Sequence, residues 1–328
     1  MLHVNKILVP TDFSDGSSIA YHYANDFAKR FGGKIHLLHV IPAFKYFGES
    51  IKKLGLPFDM DKDLYPHLLK ETKDKAWQDL ENYFDEEVQG DVITFVEARI
   101  SDGILEMAEE EDFDLIIMGA QGANAEGFLH GSVTDKVLRT SNVPVLTVPV
   151  NAPEESVRKF LIPIDFSKVS FESVPFTLSM AAQLDGDITL FHVLEIHGSL
   201  SENEYRPSGK DEIDSIHDLL LDKLEGFLDD QEGIEAHLER VPYELYDNII
   251  IKDGDEERTV RVFTKVVRGV AAHYLVNDYA DENSDMIVMT THGRSGLSHL
   301  LLGSTTEKVV QHSSRPVLTF RPDKHKRT

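Results

Sequence analysis

The chain has 328 residues and a net charge of −24 at pH 7, with 33 basic residues, 57 acidic residues and no cysteine. Scattered lysine and arginine argue against nucleic-acid binding, which needs clustered basic residues. The lack of cysteine excludes disulfides, a thiolate nucleophile and cysteine metal sites. No apolar run approaches the roughly 18 residues of a membrane span, so we expect a soluble, cytoplasmic protein.

The sequence is a tandem repeat. Residues 6–40 match residues 159–193 without a gap, so Asp12 corresponds to Asp165. A second block matches residues 114–122 to 285–293 at a larger offset, which indicates an insertion in the second half. Self-similarity at a fixed offset sets the domain count before any element is assigned. We predict domains at residues 1–150 (copy 1) and 157–323 (copy 2), joined by a polar linker.

Short apolar runs alternate with segments of helical period in both copies. In copy 1 the predicted strands lie near residues 6–9, 34–40, 92–96, 115–118 and 143–148, and in copy 2 near 160–163, 188–193, 286–290 and 317–320. Pro175 falls early in the first helix of copy 2, where proline is tolerated in the opening turn. This alternation predicts the α/β class, as two tandem open-sheet, parallel, Rossmann-like domains.

The inserted residues of copy 2, at about 242–268, alternate β-branched and polar side chains around Asp253, Gly254 and Asp255. This pattern predicts a β-hairpin. It is either a lengthened sheet edge without chemistry or a lid or partner arm. The acidic cluster that includes Glu256 and Glu257 lacks the oxygen spacing of a calcium loop.

A glycine-containing loop in copy 2 follows a predicted strand and ends where Gly303 and Ser304 open a helix. A helix N-terminus offers free N–H groups and about +0.5 charge, and glycine lets a phosphate approach the backbone closely. Asp165 ends the first strand of the same sheet. Its carboxylate would accept hydrogen bonds from a ribose or adenine group, or would serve as a turn or capping residue of the next helix.

These residues follow the pattern G-x2-G-x9-G-[ST], with Thr290 in place of the first glycine. Over nearly its whole length the chain resembles the universal stress protein family in its tandem form. The resemblance implies adenine nucleotide alpha hydrolase-like domains that bind ATP, with or without Mg²⁺. In copy 2 it implies contacts from Pro163, Asp165, Val193, Met289, Thr290, Gly293, Arg294, Gly303, Ser304, Thr305 and Thr306.

Copy 1 has every residue of the pattern but the wrong spacing. Its candidates are Asp12, Val40, Gly119, Gly122, Gly131 and Ser132, with eight residues instead of nine between the last two glycines. A loop one residue short must move its phosphate-facing amides, whereas Thr290 in copy 2 loses only backbone freedom. Copy 1 also has no counterpart of Arg294. We therefore favour copy 2 as the nucleotide site.

Other chemistry is poorly supported. There is no Walker lysine, HExxH or GxSxG pattern, which leaves at most slow ATP hydrolysis. His36 and His39 point to opposite faces of one strand, and His292 and His299 are interpreted as solvated loop residues. The favoured function is a nucleotide-dependent module in stress response or signalling. A nucleotide-free dimerisation or interaction scaffold is the alternative, and a nucleotidyl-transfer enzyme is weaker because no HxGH-like element is present.

The terminal strands of the two copies, residues 143–148 and 317–320, are apolar and should lie at sheet edges. A bare apolar edge invites aggregation. We therefore predict an intrachain pseudo-dimer in which these strands pair, with a homodimer as a further possibility. The resemblance implies the same use of this strand between separate subunits.

Overall fold

The computed structural model describes residues 3–43, 59, 62, 64–121, 131–195, 210–231, 235–254, 256–291 and 302–321. The chain divides into two compact units, one of His3–Glu154 and one formed by the chain from residue 155 onward. Each unit contains one copy of the repeat. Within the described ranges, no helix is both long enough and apolar enough to cross a membrane.

The sheet of copy 1 is parallel, with the strand order β3-β2-β1-β4-β5. Its strands are β1 Lys6–Pro10, β2 Lys34–Pro42, β3 Gln89–Glu97, β4 Leu115–Gly119 and β5 Val145–Val148. Its helices are α1 Asp15–Phe31, α2 Tyr65–Tyr83, α3 Ile100–Glu110 and α4 Ser132–Thr140. The five predicted strands are confirmed, although β5 begins two residues later than expected.

Helix α1 shows how the sequence produces these elements. The Ser14 side chain accepts the N–H of Ser17 at the start of α1, and Gly32 ends the helix in the left-handed conformation at φ 73°. The apolar residues at helical spacing are buried, as expected for a helix that covers one face of a sheet: Ala20, Ala24, Phe27 and Ala28. Strands β4 and β5 are buried along their whole length, as expected for apolar strands of a parallel sheet.

The sheet of copy 2 has the order β12-β11-β6-β7-β10-β9-β8. Its strands are β6 Lys159–Pro163, β7 Asp187–Glu195, β8 Glu235–Glu239, β9 Asp247–Asp253, β10 Glu256–Gly269, β11 Met286–Thr290 and β12 Val317–Phe320. Its helices are α5 Lys168–Phe171, α6 Ser173–Leu184, α7 Lys210–Asp229, α8 Ala272–Asn283 and α9 Ser304–His312. Both sheets are open and mainly parallel, which confirms the predicted α/β class.

The first helix of copy 2 is divided into α5 and α6. Pro175 lies in the first turn of α6, the position in which proline is tolerated. Farther into a continuous helix, proline would leave one hydrogen bond unmade and its ring would clash with the carbonyl four residues earlier, here that of Phe171. The break between α5 and α6 removes that conflict.

Strand β10 has two partners. Its first half pairs antiparallel with β9, and its second half pairs parallel with β7. Val262 lies opposite Ile188, near the start of β7, so the β9–β10 hairpin projects beyond the amino ends of the parallel strands. A lid over a site at the carboxyl ends would require the opposite placement. Strand β8, which pairs antiparallel with β9, was not predicted from the sequence.

One aspartate in each copy joins the start of two neighbouring strands. The Asp114 carboxylate accepts the backbone N–H groups of Asn5 at 2.7 Å and Lys6 at 2.9 Å. Asp285 accepts those of Arg158 and Lys159, both at 2.8 Å. These bonds satisfy strand-end donors, and they explain structurally why the same aspartate recurs in the repeat.

Candidate functional site

The candidate site of each copy lies where its strand order reverses. This point falls between β1 and β4 in copy 1 and between β6 and β11 in copy 2. In open α/β sheets, ligands bind beyond the carboxyl ends of the strands at such a point. Asp12 and Asp165 lie two residues beyond β1 and β6, and Gly131 and Gly303 immediately precede α4 and α9.

Each site aspartate is hydrogen-bonded within the turn that follows its strand. In copy 2, Oδ1 of Asp165 accepts the N–H of Ser167 at 2.9 Å and its hydroxyl at 2.5 Å. In copy 1, Oδ1 of Asp12 accepts the same two groups of Ser14, the N–H at 3.1 Å. The turn role anticipated for Asp165 is therefore observed. Asp165 is half-buried, whereas Asp12 is exposed.

The residue after each aspartate has a left-handed backbone, with φ of 62° at Phe13 and 63° at Phe166. This conformation costs a non-glycine residue about 1–2 kcal/mol. In copy 1 the Phe13 ring stacks on His39 with centroids 4.7 Å apart, and His39 Nδ1 lies 2.8 Å from the Thr11 carbonyl oxygen. Burial lowers the pKa of His39. Phe13 and His39 recur as Phe166 and His192 within the matched blocks 6–40 and 159–193, although the repeat alone indicates no role for them.

The start of α9 is the predicted phosphate-binding end of the copy 2 site. The Gly303 N–H donates to the Thr291 carbonyl at 2.8 Å, which places the helix start directly beyond β11. Ser304 and Thr305 are exposed there. Thr306 is buried, and its hydroxyl donates to the Thr290 carbonyl at 3.1 Å. The donors available to a ligand are therefore the hydroxyl groups of Ser304 and Thr305 and the backbone N–H groups of the first turn of α9. Anion binding at a helix start uses donors of this kind.

Copy 1 has the same construction. Gly131 donates to the Ala120 carbonyl at 3.1 Å, and the Thr134 hydroxyl donates to the Gly119 carbonyl at 3.2 Å. Ser132 is exposed. The geometry of the two helix starts therefore does not show which copy binds a nucleotide.

The first glycine of the pattern is a packing residue in copy 1. A Cβ on Gly119 would lie 2.0 Å from the Gly16 carbonyl oxygen, so the strand end touches the backbone of α1. Copy 2 replaces both partners, with Thr290 at one position and Val169 at the other. The interpretation that Thr290 loses only backbone freedom is therefore incomplete, because copy 2 also replaces the two glycines whose backbones lie in close contact in copy 1.

The two candidate valines, Val40 in copy 1 and Val193 in copy 2, differ in exposure. Val40 is 4% exposed, and its Cγ1 lies 3.0 Å from where a Cβ on Gly103 would be, so α3 covers it. Val193 is partly exposed. Among the other candidates in copy 2, Pro163 is partly exposed and Met289 is buried. Copy 2 therefore offers the more accessible strand surface.

In copy 1, side chains of α1 and α2 stabilise the site turn. The Tyr21 hydroxyl donates to Thr11 Oγ1 at 2.7 Å and lies 3.2 Å from an Asp79 carboxylate oxygen, and burial raises the pKa of Tyr21. Lys75 Nζ lies 4.3 Å above the Phe13 ring. Copy 2 has Ile164 and Val174 at the positions that match Thr11 and Tyr21. The copy 2 turn therefore lacks these two hydroxyl groups.

Several predicted residues lie outside the described ranges, namely Gly122, Gly293, Arg294, His292, His299 and Asp255. In the portion of the chain that the structure describes, no three histidine or acidic side chains are grouped to hold a metal. Magnesium in nucleotide sites is bound largely through phosphate oxygens and water, with one or two carboxylates. A carboxylate such as Asp165 at the strand ends is compatible with that mode.

Comparison with known proteins extends over the whole chain. The model of the universal stress protein family matches residues 3–149 and 156–321. The chain is 25% identical to a universal stress protein of Synechocystis sp. over 334 residues, covering 97% of this chain and 100% of that protein. It is 31% identical to a universal stress protein of Methanocaldococcus jannaschii over 183 residues, covering 55% of this chain and 91% of the relative.

The fold is also similar to that of a solved structure. A crystal structure of a universal stress protein from Archaeoglobus fulgidus matches with a TM-score of 0.62 and 19% identity, covering 98% of this chain and 100% of that one. At this identity the match supports the fold alone. Together with the family model, it accounts for both copies of the repeat.

Proposed function

The chain belongs to the universal stress protein family in its tandem form, and on that premise we propose that it binds an adenine nucleotide, with ATP as the favoured ligand, in copy 2. The observation that carries this proposal is the placement of Asp165 and Gly303 at the same end of two neighbouring parallel strands. Asp165 follows β6, and Gly303 opens α9 just beyond β11. A sugar and a phosphate group need these two kinds of contact.

The residues of copy 2 take distinct roles in this proposal. The N–H groups at the start of α9 and the Ser304 hydroxyl bind phosphate oxygens, which the positive end of the helix dipole favours. Asp165 accepts a hydroxyl of the ribose, and Val193 packs against the base. Gly293 and Arg294 complete the loop, where arginine adds a cation beside the phosphates. Mg²⁺, where present, supplies further positive charge to the phosphates.

Copy 2 is preferred to copy 1 on two grounds. Its loop has nine residues before Gly303, and Val193 is partly exposed, whereas the shorter loop of copy 1 is combined with a covered Val40. A nucleotide base in copy 1 would have to displace α3 from Val40. We therefore propose one nucleotide per chain.

The bound nucleotide is proposed to act as a state marker in stress response or signalling, changing the protein's assembly or its affinity for a partner. No general base stands out in the described part of the site, and the sequence has no Walker lysine, which argues for slow hydrolysis at most. A cytoplasmic location stays a prediction, made from the lack of a long apolar run in the sequence.

One observation favours the alternative, a scaffold that functions without nucleotide. Oδ1 of Asp165 already accepts two hydrogen bonds from Ser167, so the carboxylate has a structural task in the absence of ligand. Mass spectrometry of small molecules released from freshly purified, denatured protein separates the two functions. An adenine nucleotide at close to one per chain supports the proposed function, and its absence together with no binding of added ATP supports the scaffold.

We also propose that β5 and β12, the last strand of each copy, pair with each other within the chain. Each is a short apolar strand that follows the last helix of its copy. Pairing would satisfy the backbone groups of both edges, and the short linker gives the partner a high effective concentration. Replacing Val145 and Val317 together by aspartate should give a less stable, association-prone chain in sedimentation experiments. An unchanged monomer with independent tumbling of the units would contradict the pairing.

A further inference from the structure

The turn that carries the site aspartate has a backbone conformation unsuited to its residue. Phe166 adopts φ 63° directly after Asp165, and Phe13 adopts φ 62° directly after Asp12. Left-handed backbone is uncommon in non-glycine residues and most unusual for bulky ones. Such conformations persist only where the surrounding structure enforces them, and they concentrate at functional sites. The same residue type in the same conformation in both copies requires a physical cause.

A histidine on the neighbouring strand contacts this turn on both sides of Asp165. His192 Nδ1 lies 2.7 Å from the Ile164 carbonyl oxygen, and its ring centroid is 4.4 Å from that of Phe166. Because a carbonyl oxygen only accepts, Nδ1 carries the proton and donates. His192 is 7% exposed, so this hydrogen bond is shielded from water. His192 therefore contacts both neighbours of Asp165: Ile164 through the hydrogen bond and Phe166 through its ring.

The turn in this conformation sets the direction of the aspartate. Oδ1 of Asp165 accepts the N–H and the hydroxyl of Ser167, and Ser167 Oγ in turn accepts the N–H of Ser170 at 3.2 Å. A chain of contacts thus runs from His192 through the turn to Asp165 and on to the start of α5. Changing the φ of Phe166 would alter the direction of the Asp165 side chain.

We propose that His192 is a positioning residue of the copy 2 site, which holds the Phe166 turn in its left-handed conformation and thereby orients Asp165 toward a bound nucleotide. This inference rests on the proposed function of copy 2. The alternative is a histidine that stabilises the fold without affecting the ligand. The recurrence of the pair supports a role specific to the turn, because copy 1 keeps the histidine and phenylalanine although Thr11 and Tyr21 give its turn an additional hydrogen bond.

The test is a set of substitutions in the full chain with ATP affinity measured by calorimetry. His192→Leu should weaken ATP binding about tenfold, the factor that corresponds to one hydrogen bond of ordinary net strength. His192→Asn retains a side-chain N–H donor and should recover most of the affinity. His217→Leu is the control, because it removes a hydrogen bond of a half-buried histidine of the same unit, to Thr264 Oγ1 of β10 at 2.7 Å. It should leave the affinity within about twofold of the parent.

A double-mutant cycle tests the mechanism itself. Glycine adopts positive φ without strain, so in a Phe166→Gly background the loss caused by His192→Leu should fall below about threefold. Equal losses in both backgrounds, or the same loss from His217→Leu, would overturn the positioning role. The hydrogen bond from His192 to the Ile164 carbonyl does not involve the Phe166 side chain, so we expect the Phe166→Gly chain to keep it. This chain gives a second background in which to measure the effect of His192→Leu on ATP affinity if the single leucine variant is unstable.

Amide hydrogen exchange without nucleotide separates this inference from the proposed function. His192→Leu should accelerate exchange of the Ser167 N–H about tenfold, because this group is held by Asp165. If the parent binds no nucleotide, the proposed function fails while exchange still reports on the turn. Unchanged exchange contradicts the histidine's control of the turn, and accelerated exchange with unchanged ATP affinity contradicts its role in orienting Asp165.

Discussion

Gly119 lies so close to Gly16 that a Cβ on Gly119 would fall 2.0 Å from the Gly16 carbonyl oxygen. The glycine that begins the phosphate-loop pattern therefore has a packing role in copy 1 that is independent of any ligand. In copy 2 both positions carry larger residues, Val169 and Thr290. The presence or absence of this first glycine is accordingly a weak guide to nucleotide binding.

We expect Gly119→Ala to destabilise copy 1 by about 1–3 kcal/mol, the usual cost of overpacking, because backbone must move to admit the methyl group. Gly226→Ala is the matched control, since a Cβ there meets nothing within 4 Å in helix α7. It should stabilise copy 2 by up to about 1 kcal/mol through helix propensity. Urea unfolding measures both, and an unchanged or raised stability of Gly119→Ala would contradict the packing role of Gly119.

Asp285→Ala should lower the free energy of unfolding of copy 2 by about 1–2 kcal/mol, because two N–H groups lose a charged acceptor while water partly replaces it. The bonds lost are those to Arg158 and Lys159 at 2.8 Å. ATP affinity should stay unchanged, since Asp285 lies at the amino end of β11, opposite the site. Asp278→Ala removes the same charge from an exposed position of α8 and should cost less than about 0.5 kcal/mol. Equal losses from the two variants would show that charge, not strand capping, is responsible.

The stability of copy 1 should fall as the pH decreases through the titration range of histidine. Burial lowers the pKa of His36, against the opposing effects of Asp91 and Glu111, and Lys6 lowers it further. The unfolded state therefore binds a proton more readily than the folded state. The stability that neutral His36 contributes to the free energy of unfolding is present above the unfolded pKa of about 6.5 and is lost as the pH falls below it.

His36→Asn removes the titrating group and retains an acceptor for the Asp91 N–H, which His36 Nδ1 accepts at 3.2 Å. The decline in unfolding free energy between about pH 7.5 and 5.5 should become shallower in urea titrations. A residual slope should remain, since burial also lowers the pKa of His39. An identical slope in parent and variant would rule out His36 as a source of the pH dependence.

The sequence was sufficient to predict the fold class because the strands are apolar runs and the repeat cross-checks each assignment. It did not predict β8, because residues Glu235 to Glu239 show only a weak alternation of polar and apolar side chains. These residues form a strand by pairing with β9. The division of the first helix between Phe171 and Ser173 and the two partners of β10 also depend on tertiary packing. Local pattern does not contain that information.

At the site, the sequence identified the aspartates and the helix-starting glycines, since these depend on residue type and spacing. It did not show that Val40 is covered while Val193 is partly exposed, because exposure depends on where α3 packs. Nor did it assign a role to His192, whose partners Ile164 and Phe166 come from a neighbouring strand and turn. The positive φ of Phe166 contradicts its residue preference and becomes intelligible only with those contacts.

ATP turnover should be slow if the nucleotide marks a state. We expect less than about 1 turnover per second, below the usual range of kinases, because the sequence has no Walker lysine to stabilise the developing charge. Phosphate release from purified protein measures this, with the Gly303→Val variant as a control for contaminating enzymes. A rate in the kinase range that is lost in the variant would require a catalytic role for the site.

The central claim is that copy 2 binds the nucleotide at the start of α9, and calorimetric titration of ATP into three forms of the chain tests it most directly. The parent should bind one nucleotide per chain, Gly303→Val should abolish binding because its side chain blocks phosphate approach, and Gly131→Val should change the affinity little. Equal losses from the two valine variants, or no binding by the parent, would contradict the account.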